Sequence, residues 1–268
     1  MRIPWRKLLI GEFSWKRIFR SLAVIYGILF VGACTLSEKL IFPYRGSSYG
    51  EHLRGLQLLR SGDGQEIATR YLKAPNEEYV VLHFHGNYED LGQLDPMFME
   101  FRARRWSVLA LDYRGYGLSK GSPKEATCYL DGERLYQRAI ELGYDPGQII
   151  IWGRSVGGGL AVELALRRKA HALVLESPFA TAFTVATKVP VVPFDRFDNL
   201  GKIGSVDEPL FILHGSEDRL ISPRHSRKLH DAHPGPKERH LIADAGHNDL
   251  WDRSLDVELT ALSDFLSR

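Results

Sequence analysis

Cysteine is almost absent from this chain: Cys34 and Cys128 are the only two among 268 residues. Cys34 lies in an apolar run, which leaves Cys128 no partner and excludes the disulfide framework of a small secreted domain. Cys128, within KEATCYLDGERLYQRAI, reads as a small apolar residue on a helix. An excess of one charge is lacking too. The formal net charge is +2, and no basic stripe with interleaved aromatics crosses the body of the chain, so nothing points to a nucleic-acid partner. Internal repeats and low-complexity tracts are missing, which excludes solenoids and long disordered linkers. With 44% hydrophobic side chains, the length suffices to bury one large core.

What charge asymmetry exists lies at the start, where Arg2, Arg6, Lys7, Lys16, Arg17 and Arg20 face the single acid Glu12. Behind them, LAVIYGILFVGACTL from Leu22 to Leu36 carries no charge. Its length lies between a secretory apolar core and a full span of about 20 residues, and Ile18 and Phe19 extend it if Arg20 snorkels. Residues 1–36 are therefore expected to be a basic N-terminus with a membrane anchor or signal segment, and 37–50 a polar linker. The positive flank should stay cytoplasmic, which places everything after Ser37 on the periplasmic or extracellular side. Val31-Gly32-Ala33-Cys34 resembles a bacterial lipobox, in which the cysteine is lipidated after cleavage. An uncleaved helix and a lipidated Cys34 both stay open, with a helix buried in a soluble fold as a third reading.

From Glu51 onward the pattern is regular. LRGLQLLR and QEIATRYLKAP flank Ser61-Gly62-Asp63-Gly64, a turn signal that predicts an opening hairpin. YVVLHFHGN, WSVLALDYRG, QIIIWG, HALVLESP, PLFILHG and ERHLIADAG then read as strands. Helical patterns lie between them: EDLGQLDPMFMEFRARR despite Pro96, Lys124 to Leu142, Val156 to Arg168, and Asn248 to Ser267. Near-continuous Val, Ile and Leu in strands that alternate with helices predict an α/β domain over 51–268, with a mostly parallel sheet covered on both faces. Residues 180–206 exceed an ordinary connection and are expected to form a short lid.

In such a sheet, ligands bind beyond the carboxyl ends of the strands. Gly153-Arg154-Ser155-Val156-Gly157 follows QIIIWG there and opens a helix. A sharp strand-to-helix turn strains its central residue and needs neighbours with little side chain, while the helix N-terminus favours developing negative charge. Ser155 is thus the candidate nucleophile; the bland alternative is a helix cap beside a glycine packing contact. A serine hydroxyl needs a base, and the base needs an acid to fix its tautomer. His247 follows the last strand, and Asp218 follows the one before it. Asp218 is preferred to Glu217, which is expected to face solvent, while Asp244 and Asp249 read as loop and helix-start residues. The order serine, acid, histidine suits this architecture. The oxyanion of an attacked carbonyl would be held by the N–H groups of Val156 and Asn87, the latter in HGNYED after the VVLHF strand. His83 and His85 share a strand face but have no third ligand nearby, so they are expected to pack or bond locally.

With HFHGN, LDYRGYGLSKGSP, GRSVGG, HGSEDRLI and GHND in this order, the chain from about Leu53 resembles the α/β-hydrolase superfamily. RFDNLGKI after a short lid, and an apolar N-terminus leading to LIFPY, resemble its Bem-type subgroup of membrane-associated serine hydrolases, related to eukaryotic depalmitoylating enzymes. The resemblance carries the triad onto Ser155, Asp218 and His247 and the oxyanion amides onto Asn87 and Val156. Arg154 stands where many relatives have glutamine and reads as a tolerated variation. Ester or thioester hydrolysis is implied, with no cofactor and no metal. Phe183, Phe194 and Phe197, with Val185, Val189, Val191 and Val192, are expected either to bind an acyl chain or to pack over the sheet. A membrane-attached body would suit lipids or acylated proteins as substrates. The alternatives are a serine peptidase of the same fold and a catalytically silent membrane-tethered scaffold. Nothing in the chain bears on its oligomeric state.

Overall fold

A computed structural model describes residues 14–43, 46–188 and 192–268. Arg2, Arg6, Lys7, Glu12, Val189, Pro190 and Val191 lie outside the described residues. The chain divides into two compact units, Met1–Leu40 and Ile41–Arg268. The first is dominated by helix α1, Trp15–Ile41. Its Phe19, Leu22, Ile25 and Ile28 are all exposed, and its 27 residues rise about 40 Å, enough for a hydrocarbon layer of about 30 Å.

The second unit is built on an eight-stranded sheet. In chain order its elements are β1 (Leu56–Arg60), β2 (Glu66–Leu72), β3 (Tyr79–Phe84), α2 (Asp95–Ala103), β4 (Trp106–Leu111), α3 (Glu125–Glu141), β5 (Ile149–Arg154), α4 (Gly157–Arg167), β6 (Ala172–Glu176), α5 (Ala182–Thr187), α6 (Asn199–Ile203), β7 (Leu210–Gly215), α7 (Arg224–Ala232), β8 (Lys237–Ile242) and α8 (Leu250–Leu266). The strand order is β1-β2-β4-β3-β5-β6-β7-β8. β1 and β2 form the expected hairpin, β2 also runs antiparallel to β4, and the remaining pairs are parallel. This is the α/β-hydrolase fold.

The central strands are apolar throughout because both faces are covered. On one face Leu82, Ile151 and Leu173 meet Leu135 of α3 and Leu160 of α4. On the other, Val81, Trp152 and Phe211 meet Phe101 of α2 and Leu262 of α8. Helix α2 is shorter than its pattern suggests. Pro96 cannot donate within a helix interior, so the helix begins at Asp95 and places Pro96 in its first turn, where no donor is lost.

Residues 37–50 depart from the expected polar linker. Helix α1 runs on to Ile41, and Phe42 is only 1% exposed, set edge-on against Tyr113 (5.5 Å), Tyr116 (6.3 Å) and Phe197 (6.1 Å). Further on, Ser48 N–H donates to Asp90 Oδ2 at 2.6 Å, and Tyr49 O–H donates to Asp112. An aromatic with this payload outweighs the polarity of its neighbours, so the segment belongs to the core in part. Phe42→Ala should lower the unfolding free energy of the full chain by about 3–5 kcal/mol in urea titration. A free linker position would change it by less than about 0.5 kcal/mol.

Candidate active site

Three turns at the carboxyl edge of the sheet supply the side chains singled out in the sequence. Ser155 sits between β5 and α4 with φ of 51°, the left-handed region that a residue with a Cβ rarely adopts. Its backbone is held there by its own N–H, which donates to Glu176 O at 2.8 Å. The glycines on either side permit close approach: a Cβ on Gly157 would lie 2.1 Å from Phe84 O, and one on Gly153 would lie 2.5 Å from Gly157 O. The start of α4 therefore presses onto the end of β3, next to the loop that begins at Gly86. A Cβ built on Gly86 would lie 3.9 Å from Ser155 Cβ.

His247 Nε2 lies 3.1 Å from Ser155 Oγ, and its Nδ1 lies 2.7 Å from Asp218 Oδ2. A carboxylate only accepts, so Nδ1 carries the proton and Nε2 is free to accept from the serine hydroxyl. Asp218 is immobilised by its own turn, where Oδ1 accepts the N–H groups of Leu220 (2.9 Å) and Ile221 (2.8 Å). Fully buried His214, which the sequence reading passed over, adds a further contact. Its Nε2 stands 3.2 Å from Asp218 Oδ2 and 2.9 Å from Ile221 O. Burial on its own would raise the Asp218 carboxyl, but the hydrogen bonds from His214 and His247 outweigh it and hold the group well below the usual carboxylate range. Glu217 is exposed, as expected. Asp249 accepts the Gly246 N–H at 2.6 Å, which shapes the loop carrying His247.

Ser155 and His247 open into a cleft of about 370 Å³, also lined by Gly86, Asn87, Arg154 and Leu220. Asn87 is held through its flanks, with its side chain donating to Ile41 O (2.9 Å) and its carbonyl accepting from Tyr116 O–H (3.0 Å). Among the described residues, neither the Asn87 nor the Val156 N–H has an acceptor. His85 is fully buried, with Nδ1 2.7 Å from Gly86 O and Nε2 3.1 Å from Asp112 Oδ1, and His83 packs edge-on against Phe98.

Arg154 is more than a tolerated variation. Its Nε lies 3.0 Å from Glu176 Oε1, its Nη1 2.5 Å from Glu89 Oε2, and its Nη2 donates to Asn248 Oδ1 at 3.3 Å. Glu89 Oε1 in turn accepts the Gly86 N–H at 2.6 Å. Trp251 and Trp152 donate to Glu176 at 3.0 and 3.4 Å. Burial pushes the Glu176 carboxyl up, with Arg154 opposing, while Glu176 and Glu89 outweigh burial and hold the Arg154 guanidinium above its ordinary value. No spacing rule joins positions 89, 154, 176 and 248, so this cluster has no sequence signature.

The lid aromatics divide. Phe194 faces a groove beside the cleft and stacks edge-on with Phe183 at 5.7 Å. Phe197 does not take part: it is 1% exposed, packs on Phe42, Tyr129 and Phe179, and its N–H donates to Glu125 Oε1 at 2.8 Å. Of the two roles expected for it, acyl binding and packing over the sheet, Phe197 takes the second, with its ring in the space left open by Gly159.

The state of Asp218 has a measurable consequence. A carboxyl that ionises below its unfolded value stabilises the fold above the ordinary carboxylate range, and that contribution is lost as pH falls. Asp218→Asn should therefore flatten the decline in urea midpoint of the wild type below about pH 5. Parallel curves for the two proteins would contradict the assignment.

The comparisons with known proteins agree with this architecture. The family model described as serine aminopeptidase, S33, matches residues 75–197. Alpha/beta hydrolase domain-containing protein 17B of Homo sapiens is 35% identical over 221 residues, covering 80% of this chain and 76% of the human protein. Protein 17C of Mus musculus is 34% identical over 228 residues, covering 82% of this chain and 70% of the mouse protein. Among solved structures, an esterase of Pyrococcus furiosus superposes with a TM-score of 0.68 at 17% identity, covering 84% of this chain and 96% of its own. An acetyl xylan esterase from Paenibacillus does so with a TM-score of 0.62 at 18% identity, covering 86% and 92%. These last two show the shared fold alone. From the mammalian relatives it follows that the chain belongs to the α/β-hydrolase superfamily, in the family of the alpha/beta hydrolase domain-containing proteins 17.

Proposed function

We propose that this protein is a serine hydrolase that cleaves carboxylic esters or thioesters through an acyl-enzyme on Ser155, acting on lipids or acylated proteins at a membrane. The observation that carries the reading is the unbroken hydrogen-bonded line from Ser155 Oγ through His247 to Asp218, opening on a cleft. In this reading His247 takes the Ser155 proton as Oγ attacks the carbonyl, and returns it to the departing alcohol or thiol. Asp218 holds the imidazole in the required tautomer and faces its positive charge once it forms. The N–H groups of Asn87 and Val156 receive the oxyanion, as their lack of an acceptor among the described residues suits. Water activated by His247 then releases the acid. These steps call on no cofactor and no metal.

The same reading assigns the apolar N-terminal segment, within residues 1–36, to membrane attachment, and the basic residues before it to the cytoplasmic side, so that the body faces the periplasm or the exterior. Exposed Cys34 within α1 keeps lipidation open as the mode of attachment. A mature N-terminus beginning at a modified Cys34 would exclude an uncleaved helix. Kinship with the Bem-type subgroup and with depalmitoylating enzymes is part of the proposal and rests on the lid motif RFDNLGKI and on the first unit.

A fluorophosphonate probe should label the native protein, and Ser155→Ala should abolish labelling and lower kcat by about 10⁴-fold or more. Labelling that persists in Ser155→Ala would remove the serine from its role, and a well-folded wild type that never labels would favour the scaffold reading. Because the matching family model is named for an aminopeptidase, peptide amides belong in the substrate panel beside acyl thioesters and p-nitrophenyl esters. Esters and thioesters should turn over, and amides should not.

A further inference from the structure

The cleft holding Ser155 shares Leu220 with a second, larger groove of about 1120 Å³, and Asp218 lines that groove too. One wall is apolar, formed by Val185, Val192, Phe194 and Leu200. The rest of the rim carries Lys188, Arg219, Arg224 and Lys228, all exposed. None of these cations has a carboxylate partner among the described residues. Some exposed cations elsewhere on the same unit do find one, as Arg105 with Glu78, Lys120 with Glu66, Arg168 with Glu133 and Lys169 with Asp207, while Arg54, Arg60 and Lys124 have none among the described residues; the groove differs in gathering four such cations along one rim.

Three acids also line the groove and keep their charge, each fixed in place by hydrogen bonds. Asp195 Oδ1 accepts the N–H groups of Phe183 and Arg196, Asp198 Oδ1 accepts that of Gly201, and Asp218 is held by His247, His214 and its own turn. The cations are moreover placed at a cost. Arg224 and Lys228 stand four residues apart on one face of α7 and repel. Arg224 opens that helix, whose first turn contains no acid, so the helix dipole opposes its charge. Four cations without a carboxylate partner outnumber the three acids, and with an apolar wall next to the Ser155 cleft they complement an amphiphile with an anionic head.

Resting on the assignment of Ser155 as nucleophile, we infer that the groove takes a monoacyl glycerophosphate, its acyl chain along Val185, Val192 and Phe194 and its phosphate on Arg219, Arg224 and Lys228. Guanidinium pairs match phosphate oxygens by charge and by geometry, and a chain with a membrane-length helix meets this lipid class at the bilayer. The reaction balances as an ester hydrolysis. Ser155 Oγ bonds to the acyl carbon, the glycerol oxygen departs with the proton carried by His247, and water supplies the hydroxyl and proton that release the fatty acid and restore the serine.

The test compares 1-octanoylglycerol 3-phosphate with 1-octanoylglycerol on the full chain. The ratio of kcat/KM should favour the phosphate ester by about tenfold or more at low salt. It should shrink in about 0.5 M NaCl and fall towards one in the triple variant Arg219→Gln, Arg224→Gln, Lys228→Gln, with probe labelling confirming that this variant is folded. A wild-type ratio near one, or a labelled triple variant that keeps the ratio, overturns the inference while leaving the hydrolase reading intact. Failure of both esters together with absence of labelling overturns the hydrolase reading and this inference with it. Octanoyl-coenzyme A and octanoyl-N-acetylcysteamine form the parallel pair; a phosphate preference confined to these thioesters overturns the lipid assignment.

Discussion

One nearly buried guanidinium holds the carboxyl edge of this sheet together. Arg154 reaches from the residue before the candidate nucleophile to Glu89 in the loop after β3, to Glu176 at the end of β6, and to Asn248 beside His247. Each contact joins segments far apart in the chain, and each carboxylate has a second tie, Glu89 to the Gly86 N–H and Glu176 to two indoles. Removing one partner from such a cluster strands a desolvated charge, which costs about 3–5 kcal/mol in comparable cases. The loops around Ser155 are therefore tied to one another through a single side chain, and the contacts of His247 with Ser155 at 3.1 Å and Asp218 at 2.7 Å add two further ties.

Legibility in the sequence follows from how local the governing interaction is. The strands could be read because burial on both faces leaves no alternation to confuse, and Ser155 because a strained turn demands Gly157 within two residues. The pairing of Asp218 with His247 could be chosen because both follow strands, so topology carries them to one edge. The burial of Phe42 within the segment 37–50 is not legible because the segment as a whole reads as polar and the partners of the ring lie at 113, 116 and 197. For Phe197 the sequence leaves acyl binding and packing open for a related reason: the cavity that takes the ring is set by Gly159, far away in the chain. Arg154 reads in sequence only as a tolerated variation, and His214 has no assigned role there, because their partners appear only once the loops are assembled.

On the proposed function, the turn after β7 ties chemistry to recognition. Asp218 closes that turn by accepting the Leu220 and Ile221 amides, so its carboxylate cannot swing and the imidazole it orients inherits that fixity. The bend that those bonds close is the same one that presents Arg219 and Leu220 to solvent, with Leu220 standing where the cleft meets the groove. Altering the backbone here to reshape the groove would loosen the acid and, through it, the histidine tautomer. Side chains at 219 and 220 are free to vary because their backbone is not. In the proposed reading, selectivity can therefore diverge at this turn without disturbing proton transfer, provided that the substitution leaves both amides able to donate, which bars proline at 220 and 221.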